Sequence, residues 1–394
     1  MLFLPPLSGS FSIQCVLMVN PIKKLAILGS TGSIGQQTLD IVRKFPDRFE
    51  VVGLTCGHNT VIFQQQVKEF SPRVVHSVAD ISLPNHIQRA SMEEIASRPD
   101  VHTVVVATTG KAGLRPTVAA LKAGKTVAIA NKEILVMAGE LLVNLAYKHN
   151  ATVLPIDSEH CAIWQCLEGE DAPVSRILLT ASGGPFINWP PAKLAKVTAS
   201  DALKHPTWKM GKKVTIDSAT LFNKGLEVIE AHWLFDVPYE KIELLIHRQS
   251  IVHSMVEFRD GSIKAQLSNP DMHLPIQYAL FYPQRASNDC IRRMDFATAF
   301  TLTFEPVVHD DYPCLKLALE AAGKGGTYPA VLCAADEVAV DLFLKNSIGF
   351  TEIATIIEKT LGIHDSIINP TLEDIVLSDT WARETALKAA RKEF

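Results

Sequence analysis

Short apolar runs alternate with longer stretches of helical periodicity over the N-terminal third of the chain. Such runs, when bounded by glycine or charged residues, are typical of buried strands, and apolar residues at every third or fourth position are typical of helices. The predicted strands are 24–29, 49–55, 73–76, 101–107 and 126–130. The predicted helices are 34–43, 61–70, 115–123 and one that ends near residue 148. This alternation predicts a parallel sheet with helices on both faces.

The pattern changes after residue 151. Strands are predicted at 176–180, 243–246, 251–258 and 263–267, with Asp260-Gly261 as the hairpin turn between the last two. Helices are predicted at 160–168 and 223–235. From about residue 311 only helical spacing remains, at 315–322, 329–345, 351–361 and 378–392, with Ser378 or Asp379 as the N-cap of the last helix.

The predicted fold class is therefore α/β with three domains. Residues 21–150 form a Rossmann-like domain with a parallel sheet, residues 151–290 an α+β domain, and residues 311–394 a helical bundle that follows a linker at 291–310. Residues 1–20 carry no charged side chain and are interrupted by Pro5-Pro6, so we interpret them as a non-essential extension, with Met18 as a candidate start residue. A cleaved targeting peptide is the alternative.

Composition narrows the class of protein. The chain of 394 residues is 47% hydrophobic and 20% charged, which is ordinary for a globular enzyme. Its net charge of −4 leaves no basic footprint for nucleic acid, and no apolar run is long enough for a membrane span. Seven cysteines without a C-x-x-C pair favour reduced thiols and a cytoplasmic location.

A glycine-rich turn follows the first predicted strand. Gly29, Gly32 and Gly35 have the spacing G-x-x-G-x-x-G and open a helix, as in sites where a pyrophosphate meets a helix N-terminus. The second strand ends in Thr55-Cys56-Gly57-His58-Asn59, without the carboxylate that usually holds the ribose of NAD. Since His58 and Asn59 can donate hydrogen bonds to a 2′-phosphate, the sequence favours NADP.

A second polar cluster, Ala130-Asn131-Lys132-Glu133, follows the strand at 126–130. Ligands of such sheets bind beyond the carboxyl ends of the strands. Asn131 and Glu133 are therefore candidates for contact with nicotinamide or ribose, and Lys132 for contact with substrate. A simple charge pair in the first turn of a helix is the alternative for Lys132-Glu133.

Three carboxylates suggest a metal site. Asp157 and Glu159 face the same way if their segment is extended, and Glu227 adds a third oxygen donor. An all-carboxylate set without cysteine suits Mg²⁺ or Mn²⁺. His160 is interpreted as a packing or supporting residue rather than a zinc ligand.

The segment 205–227 is dense in polar groups. Ser218, Asn223 and Lys224 are donors suited to an anion, and in a helix both Asn223 and Lys224 share a face with Glu227. Ser182 lies in a Ser-Gly-Gly-Pro loop after a predicted strand, and this loop is a candidate phosphate-binding loop or lid. A phosphorylated substrate that chelates a metal ion requires hydrogen-bond donors for its phosphate beside carboxylate ligands for the metal ion.

Taken together, these motifs resemble the 1-deoxy-D-xylulose 5-phosphate reductoisomerase family from Lys23 to the C-terminus. The motifs are Gly-Ser-Thr-Gly-Ser-Ile-Gly from Gly29, Ala-Asn-Lys-Glu from Ala130, Asp-Ser-Glu-His from Asp157, Ala-Ser-Gly-Gly-Pro-Phe from Ala181, the segment 205–227 and Pro-Asp-Met from Pro270. The resemblance implies NADPH and Mn²⁺ or Mg²⁺ as cofactors, a homodimer, and a mobile loop across 182–212.

The resemblance also implies residue roles. The implied catalytic residues are Lys132, Asp157, Glu159 and Glu227, of which the three carboxylates are the metal ligands. The implied substrate-binding residues are Lys132, Ser158, Glu159, Ser182, His205, Trp208, Ser218, Asn223, Lys224 and Glu227. The implied NADPH-binding residues are Thr31, Gly32, Ser33, Ile34, Gly57, His58, Asn59, Asn131, Glu133 and Gly211.

The activity that the resemblance implies is a rearrangement of 1-deoxy-D-xylulose 5-phosphate followed by reduction by NADPH to 2-C-methyl-D-erythritol 4-phosphate. Two alternatives stay open at this point. One is another NADP-dependent sugar-phosphate or semialdehyde dehydrogenase, which needs no carboxylate triad. The other is a non-catalytic nucleotide-binding protein, which needs no metal site at all.

Overall fold

The computed structural model describes residues 21–187, 189–208 and 210–393, so the predicted extension at 1–20 lies outside the described residues. The chain divides into two compact units. The first comprises 21–131, 142–156 and 272–289, and the second comprises 132–141, 157–271 and 290–393. These boundaries differ from those predicted, and the three-domain division stays a prediction.

The first unit contains a sheet of seven strands in the order β4-β3-β2-β1-β5-β6-β7, all parallel. The strands are β1 Lys23–Leu28, β2 Phe49–Cys56, β3 Val74–Ser77, β4 Gln88–Arg89, β5 Thr103–Val106, β6 Thr126–Ile129 and β7 Thr152–Pro155. The helices are α1 Ser33–Lys44, α2 Thr60–Phe70, α3 Met92–Ser97 and α4 Leu114–Lys122. The predicted alternation and the α/β class are confirmed, and Leu25 to Leu28 are fully buried, as strands covered on both faces require.

Helix α5, Lys132–Lys148, leaves regular helical geometry at Ala138 (φ −140°, ψ 24°). Its residues 132–141 belong to the second unit and the rest to the first. Residues 272–289 of the first unit carry a further helix, α11 His273–Phe281. In the first unit, the sequence analysis missed α3, β4, β7 and α11.

The second unit has a mixed sheet of five strands in the order β11-β10-β8-β9-β12. Its strands are β8 Val174–Ala181, β9 Ile242–Ile246, β10 Val252–Phe258, β11 Ile263–Leu267 and β12 Glu305–Pro306. The hairpin turn at Asp260-Gly261 is confirmed, and Gly261 has the positive φ of +85° that the turn requires. Strand β11 lies at the edge of the sheet.

The second unit also contains helices from residue 158 onward. They are α6 Ser158–Leu167, α7 Pro191–Leu194, α8 Ala199–Ala202, α9 Lys212–Ala219, α10 Phe222–Phe235, α12 Pro313–Lys324, α13 Tyr328–Leu344, α14 Glu352–Gly362 and α15 Leu372–Ala390. Gly225 lets α10 approach α12 closely, because a Cβ there would lie 2.4 Å from the Cβ of Ala318. The predicted cap of α15 was wrong: Thr371, not Ser378 or Asp379, caps it through a capping box with Asp374.

None of the helices in the described part of the chain combines the length and the apolar character that a membrane span requires.

Candidate active site

The glycine-rich turn of the first unit is shaped for a close backbone approach. Gly29 has φ +85°, and a Cβ there would lie 2.5 Å from the carbonyl oxygen of Ala107. A Cβ at Gly35 would lie 2.3 Å from the carbonyl oxygen of Gly29, so α1 packs directly on the turn. Gly32, the N-cap of α1, provides no side-chain cap. The first N–H groups of α1 therefore fit a pyrophosphate, as a dinucleotide requires.

The other predicted cofactor residues of this unit lie at the same edge of the sheet. Thr31, Ser33 and Ile34 are partly or fully exposed on the turn, and Gly57, His58 and Asn59 are exposed after β2, which pairs with β1. Asn59 also caps α2, since its Oδ1 accepts from the Ile62 N–H at 3.5 Å. Asn131 is buried, and its Nδ2 donates to the Thr108 Oγ1 and the Gly110 carbonyl.

Gly35→Ala is expected to weaken NADPH binding at least about tenfold, which corresponds to a loss of about 1.4 kcal/mol of binding free energy. The added methyl group meets the backbone of Gly29, so the turn has to shift. Fluorescence titration with NADPH measures the effect. Gly323→Ala in α12 is the control, because nothing lies within 4 Å of its Cβ. Equal NADPH affinity in the Gly35→Ala protein and the wild type would contradict this account of the turn.

The structure corrects the local geometry at Asp157 and Glu159. The prediction of an extended segment was wrong: Asp157 is the N-cap of α6, and Glu159 lies in its first turn. The Asp157 side chain makes no capping hydrogen bond. The two carboxylates still converge, because each offers an oxygen that lies within 4.8 Å of an oxygen of Glu227. The first turn of a helix thus places the two carboxylates on the same side, as an extended segment was expected to do.

A sharp corner brings the predicted anion donors together. Ser218 lies near the end of α9, and Asn223 and Lys224 lie at the start of α10. Leu221 between the two helices has φ +54°, a left-handed conformation that costs a leucine roughly 1–2 kcal/mol. Strain of this kind concentrates at functional sites. The predicted helical face is confirmed, since Asn223 Nδ2 and Lys224 Nζ both donate to the Glu227 carboxylate.

Two lysines cross-link the three carboxylates. Lys132 Nζ contacts Asp157 Oδ2 and lies 2.9 Å from Glu227 Oε1. Lys224 Nζ contacts Glu227 Oε2 and lies 2.8 Å from Glu159 Oε1. Ser158 Oγ donates to Glu159 Oε2 at 2.6 Å. All the predicted metal ligands and both predicted lysines therefore meet in one cluster of the second unit.

The electrostatics of this cluster indicate a deficit of positive charge. Burial, and next the Glu159 carboxylate, raise the pKa of Glu227 to about 7. Burial lowers the pKa of Lys132, but Asp157 and Glu227 outweigh it, so the pKa ends well above its ordinary value. For Lys224, Glu159 and Glu227 outweigh burial in the same way and raise the pKa. Both lysines therefore stay charged at neutral pH, while three carboxylates compete for them.

These residues fit a divalent metal ion. Asp157 Oδ2 is buried, and apart from its ion pair with Lys132 it has no hydrogen-bond partner among the described residues. Three hard oxygen donors converge there, as Mg²⁺ and Mn²⁺ prefer. The side chains of Asp157 and Glu159 are 13% and 18% exposed, so a substrate oxygen can reach an ion held between them.

A second group of potential ligands shares Asp157. It consists of Asp157, His160 and Glu230. His160 and Glu230 are fully buried, and His160 Nε2 donates to the Glu227 carbonyl at 2.9 Å. Because substrate has no access to this pair, the carboxylate triad is the better candidate. The prediction that His160 supports the site agrees with this geometry.

His205 links the two predicted phosphate serines. Its Nε2 lies 3.0 Å from Ser182 Oγ and 3.1 Å from Ser218 Oγ. Its Nδ1 accepts from the backbone N–H groups of Thr207 and Trp208, so the proton of the neutral ring is on Nε2. A Cβ at Gly184 would lie 2.6 Å from the Ser218 carbonyl oxygen, so only glycine lets the Ser182 loop approach α9 this closely.

The free energy of unfolding is expected to decrease as the pH is lowered, because His205 is buried in its neutral form. Burial lowers the pKa of its folded-state ring from 6.5 to about 4. The unfolded chain takes up a proton below pH 6.5, so this contribution to the free energy of unfolding is present above pH 6.5 and is lost as the pH falls towards 4. Urea unfolding at pH 7 and pH 5 measures the drop. His205→Gln should reduce it and His58→Gln, at an exposed position, should not; an equal drop in His205→Gln and wild type would contradict the assignment.

The remaining predicted residues lie in the second unit at separate places. Trp208 is half-buried, with its ring 6.0 Å from that of His253. Gly211 is the N-cap of α9, and Glu133 lies 3.5 Å from Lys213 Nζ. Motion of the loop 182–212 and the cofactor contacts of Glu133 and Gly211 stay predictions.

Sequence analysis missed Glu230 and the lysine at 213. Glu230 lies 3.4 Å from His160 Nδ1, and its spacing of three from Glu227 was the available signal. Lys213 pairs with Asp217 at i,i+4, a spacing visible in the sequence, but its other partners come from distant segments.

Family models match most of the chain. The model described as 1-deoxy-D-xylulose 5-phosphate reductoisomerase matches residues 25–139. The model of that enzyme's C-terminal domain matches 153–235, and one described as DXP reductoisomerase C-terminal domain matches 267–385. The matched segments include every residue of the candidate site.

Individual relatives agree. A 1-deoxy-D-xylulose 5-phosphate reductoisomerase from Pelotomaculum thermopropionicum is 49% identical over 386 residues, 94% of this chain and 100% of the relative. One from Caldanaerobacter subterraneus subsp. tengcongensis is 52% identical over 93% of this chain and 99% of its own. A solved DOX-P reductoisomerase in complex with NADPH, fosmidomycin and magnesium has TM-score 0.87 at 40% identity, with 94% and 98% covered. The Zymomonas mobilis enzyme in complex with NADPH has TM-score 0.86 at 41% identity, with 94% and 99% covered.

Proposed function

This chain belongs to the 1-deoxy-D-xylulose 5-phosphate reductoisomerase family, and from that premise we propose that the polar centre of its second unit binds and converts the substrate. The protein is an NADPH- and metal-dependent oxidoreductase that converts 1-deoxy-D-xylulose 5-phosphate in the isoprenoid pathway. The observation that carries the site assignment is the convergence of Asp157, Glu159 and Glu227 beside Lys224, at the start of a helix whose preceding corner presents Ser218.

The substrate's phosphate binds the donors around that corner. Ser182 and Ser218 supply hydroxyls, and the neutral His205 holds both through its Nε2. Lys224 supplies a charged donor at the start of α10, and Asn223 turns its amide from Glu227 to the phosphate. A dianion at this place is stabilised by charge-assisted hydrogen bonds, which are roughly twice as strong as neutral ones.

The sugar end of the substrate lies at the carboxylate triad. A divalent metal held by Asp157, Glu159 and Glu227 supplies Lewis-acid stabilisation of negative charge on substrate oxygens, and NADPH supplies the hydride of the reduction. Lys132, whose Nζ lies 2.9 Å from Glu227 Oε1, donates a hydrogen bond to a substrate oxygen. Ser158, whose hydroxyl bonds to Glu159, orients that carboxylate and the substrate hydroxyls. The loop 182–212 closes over the substrate with Trp208 and excludes water.

An assay of NADPH oxidation with 1-deoxy-D-xylulose 5-phosphate tests this function. Turnover is expected with Mn²⁺ or Mg²⁺ and none with a chelator present. Turnover that persists in the chelator would favour the simple dehydrogenase, which needs no triad. Tight NADPH binding without any turnover at saturating metal would favour the nucleotide-binding protein.

The remaining expectations concern assembly and location. We propose a homodimer that uses the edge strand β11, because its apolar side chains Ile263 and Leu267 are 51% and 39% exposed. Sedimentation velocity is expected to give twice the chain mass, and a monomer at micromolar concentration would contradict it. A cytoplasmic location is supported by the free thiols at five buried positions, which are Cys56, Cys161, Cys166, Cys314 and Cys333.

A further inference from the structure

A second buried cluster of charges lies in the second unit, apart from the carboxylate triad. Lys213 Nζ lies 2.6 Å from Asp217 Oδ2, 3.0 Å from Asp336 Oδ2 and 3.5 Å from Glu133 Oε1. Asp217 and Asp336 are 1% and 0% exposed. The four groups come from α9, α13 and the first turn of α5, so one ammonium group joins three helices.

The cluster is costly to bury. Asp217 Oδ1 and both carboxyl oxygens of Asp336 lack a hydrogen-bond partner among the described residues, so the ion pairs are their only compensation. The pKa of Lys213 is raised well above its ordinary value, because Asp217 and Asp336 outweigh the lowering by burial. Buried ion pairs of this kind contribute little net stability compared with apolar residues of the same size. A role in fixing geometry therefore accounts better for the cluster than a role in stability.

The cluster joins the two helix turns that carry the proposed substrate-binding residues Lys132 and Ser218. Glu133 is the neighbour of Lys132 on the first turn of α5, and Asp217 is the neighbour of Ser218 on the last turn of α9. A shift of either helix turn moves a proposed substrate contact. Asp336, on α13, anchors both turns to the helical part of the unit.

We propose that Lys213 is a positioning residue for the reductoisomerase reaction, which holds Lys132 and Ser218 in register by tying α5 and α9 to α13. The inference rests on the proposed function, since it takes Lys132 and Ser218 as substrate contacts. Lys213 itself does not touch the substrate. It acts by fixing the positions of the Lys132 and Ser218 side chains.

Lys213→Met tests the proposal, because methionine keeps most of the length and removes the charge. The KM for 1-deoxy-D-xylulose 5-phosphate is expected to rise roughly tenfold and kcat to fall severalfold. Calorimetry with the same substrate, without metal or NADPH, is expected to show a matching loss of affinity, because Ser218 is displaced even when no turnover occurs.

Arg383→Met is the matched control. Arg383 pairs with Glu337, the neighbour of Asp336 on α13, and with Asp379 on α15, so its loss breaks a comparable ion-pair network without touching α5 or α9. Both variants are expected to lower the melting temperature, and only Lys213→Met is expected to raise KM. A wild-type KM in Lys213→Met, or an equal rise in both variants, would overturn the proposal.

Two further variants keep the test decisive. If Lys213→Met does not fold, Asp336→Asn keeps the shape of the cluster and weakens its anchor, and it is expected to raise KM in the same direction by a smaller factor. A wild-type KM in Asp336→Asn would then overturn the proposal. Ser218→Ala distinguishes the proposed function from the positioning role of Lys213. An unchanged KM in Ser218→Ala refutes the assignment of Ser218 to the phosphate. A raised KM in Ser218→Ala together with a wild-type KM in Lys213→Met refutes only the positioning role.

Discussion

Replacement of Glu227 by glutamine is expected to lower kcat by roughly 10²–10³-fold, the usual loss when one preorganised charge-stabilising group is removed. Glu227 is the carboxylate that both Lys132 and Lys224 contact, and it is one of the three oxygen donors of the proposed metal site. Glutamine keeps the shape but only one acceptor oxygen, so either Lys224 or the pair Lys132 and Asn223 loses its acceptor. The charge that holds a divalent ion is lost as well. Steady-state kinetics at saturating metal measure the effect.

NADPH binding should not change in Glu227→Gln, since the glycine-rich turn belongs to the first unit. Asp379→Asn is the control, because Asp379 is a fully buried carboxylate on α15 in the same unit as Glu227. That variant should keep its kcat. Wild-type turnover in Glu227→Gln, with metal at micromolar concentration, would remove this residue from the site.

Replacement of Lys224 by methionine is expected to act mainly on KM. Loss of a charged hydrogen bond to the phosphate, worth about 1.5–3 kcal/mol, raises the KM for substrate by roughly 10- to 100-fold. The same change leaves Glu159 without its buried counter-ion and Glu227 with Lys132 alone, which costs about 3–5 kcal/mol of stability in the metal-free protein. Added Mg²⁺ should restore part of the melting temperature, because it supplies the missing positive charge.

Lys345→Met is the matched control for that substitution. Lys345 pairs with Asp341 and is 65% exposed, so its removal should change stability by no more than about 0.5 kcal/mol. Its KM should equal that of the wild type. If Lys224→Met lowers kcat alone and leaves KM unchanged, Lys224 acts on the reacting atoms and not on the phosphate.

Local patterns predicted the parts of the fold that depend on neighbouring residues. Each of the predicted buried strands of the first unit forms, because a continuous apolar run admits few alternatives once helices cover both faces. The shared face of Asn223, Lys224 and Glu227 was predictable for the same reason, since helical spacing alone determines it.

Predictions failed where two local signals competed. Asp157-Ser158-Glu159 follows an apolar run and was interpreted as extended, but an acidic residue, a serine and a second acid also form a good first helical turn. The cap of α15 is predicted at Ser378 or Asp379, although Thr371 and Asp374 have the spacing of a capping box. In both cases the sequence contains a signal for a helix start, which is an acidic first turn at Glu159 and a capping box at Thr371.

The long-range part of the site could not be predicted from spacing. Lys132 and Asp157 come from different helices, and the Lys213 cluster joins residues 133, 217 and 336. Such contacts depend on the packing of helices that are far apart in the chain. From the sequence, only the resemblance to a family predicted that Lys132 and the three carboxylates belong to one site.

The position of a bound Mn²⁺ ion in crystals soaked with manganese tests the central claim most directly. Anomalous scattering locates the ion without reference to activity. The account predicts a single site bonded to oxygens of Asp157, Glu159 and Glu227, and its loss from crystals of Glu227→Gln. An ion bonded to Asp157, His160 and Glu230 instead, or no ion near Asp157 at saturating manganese, would contradict it.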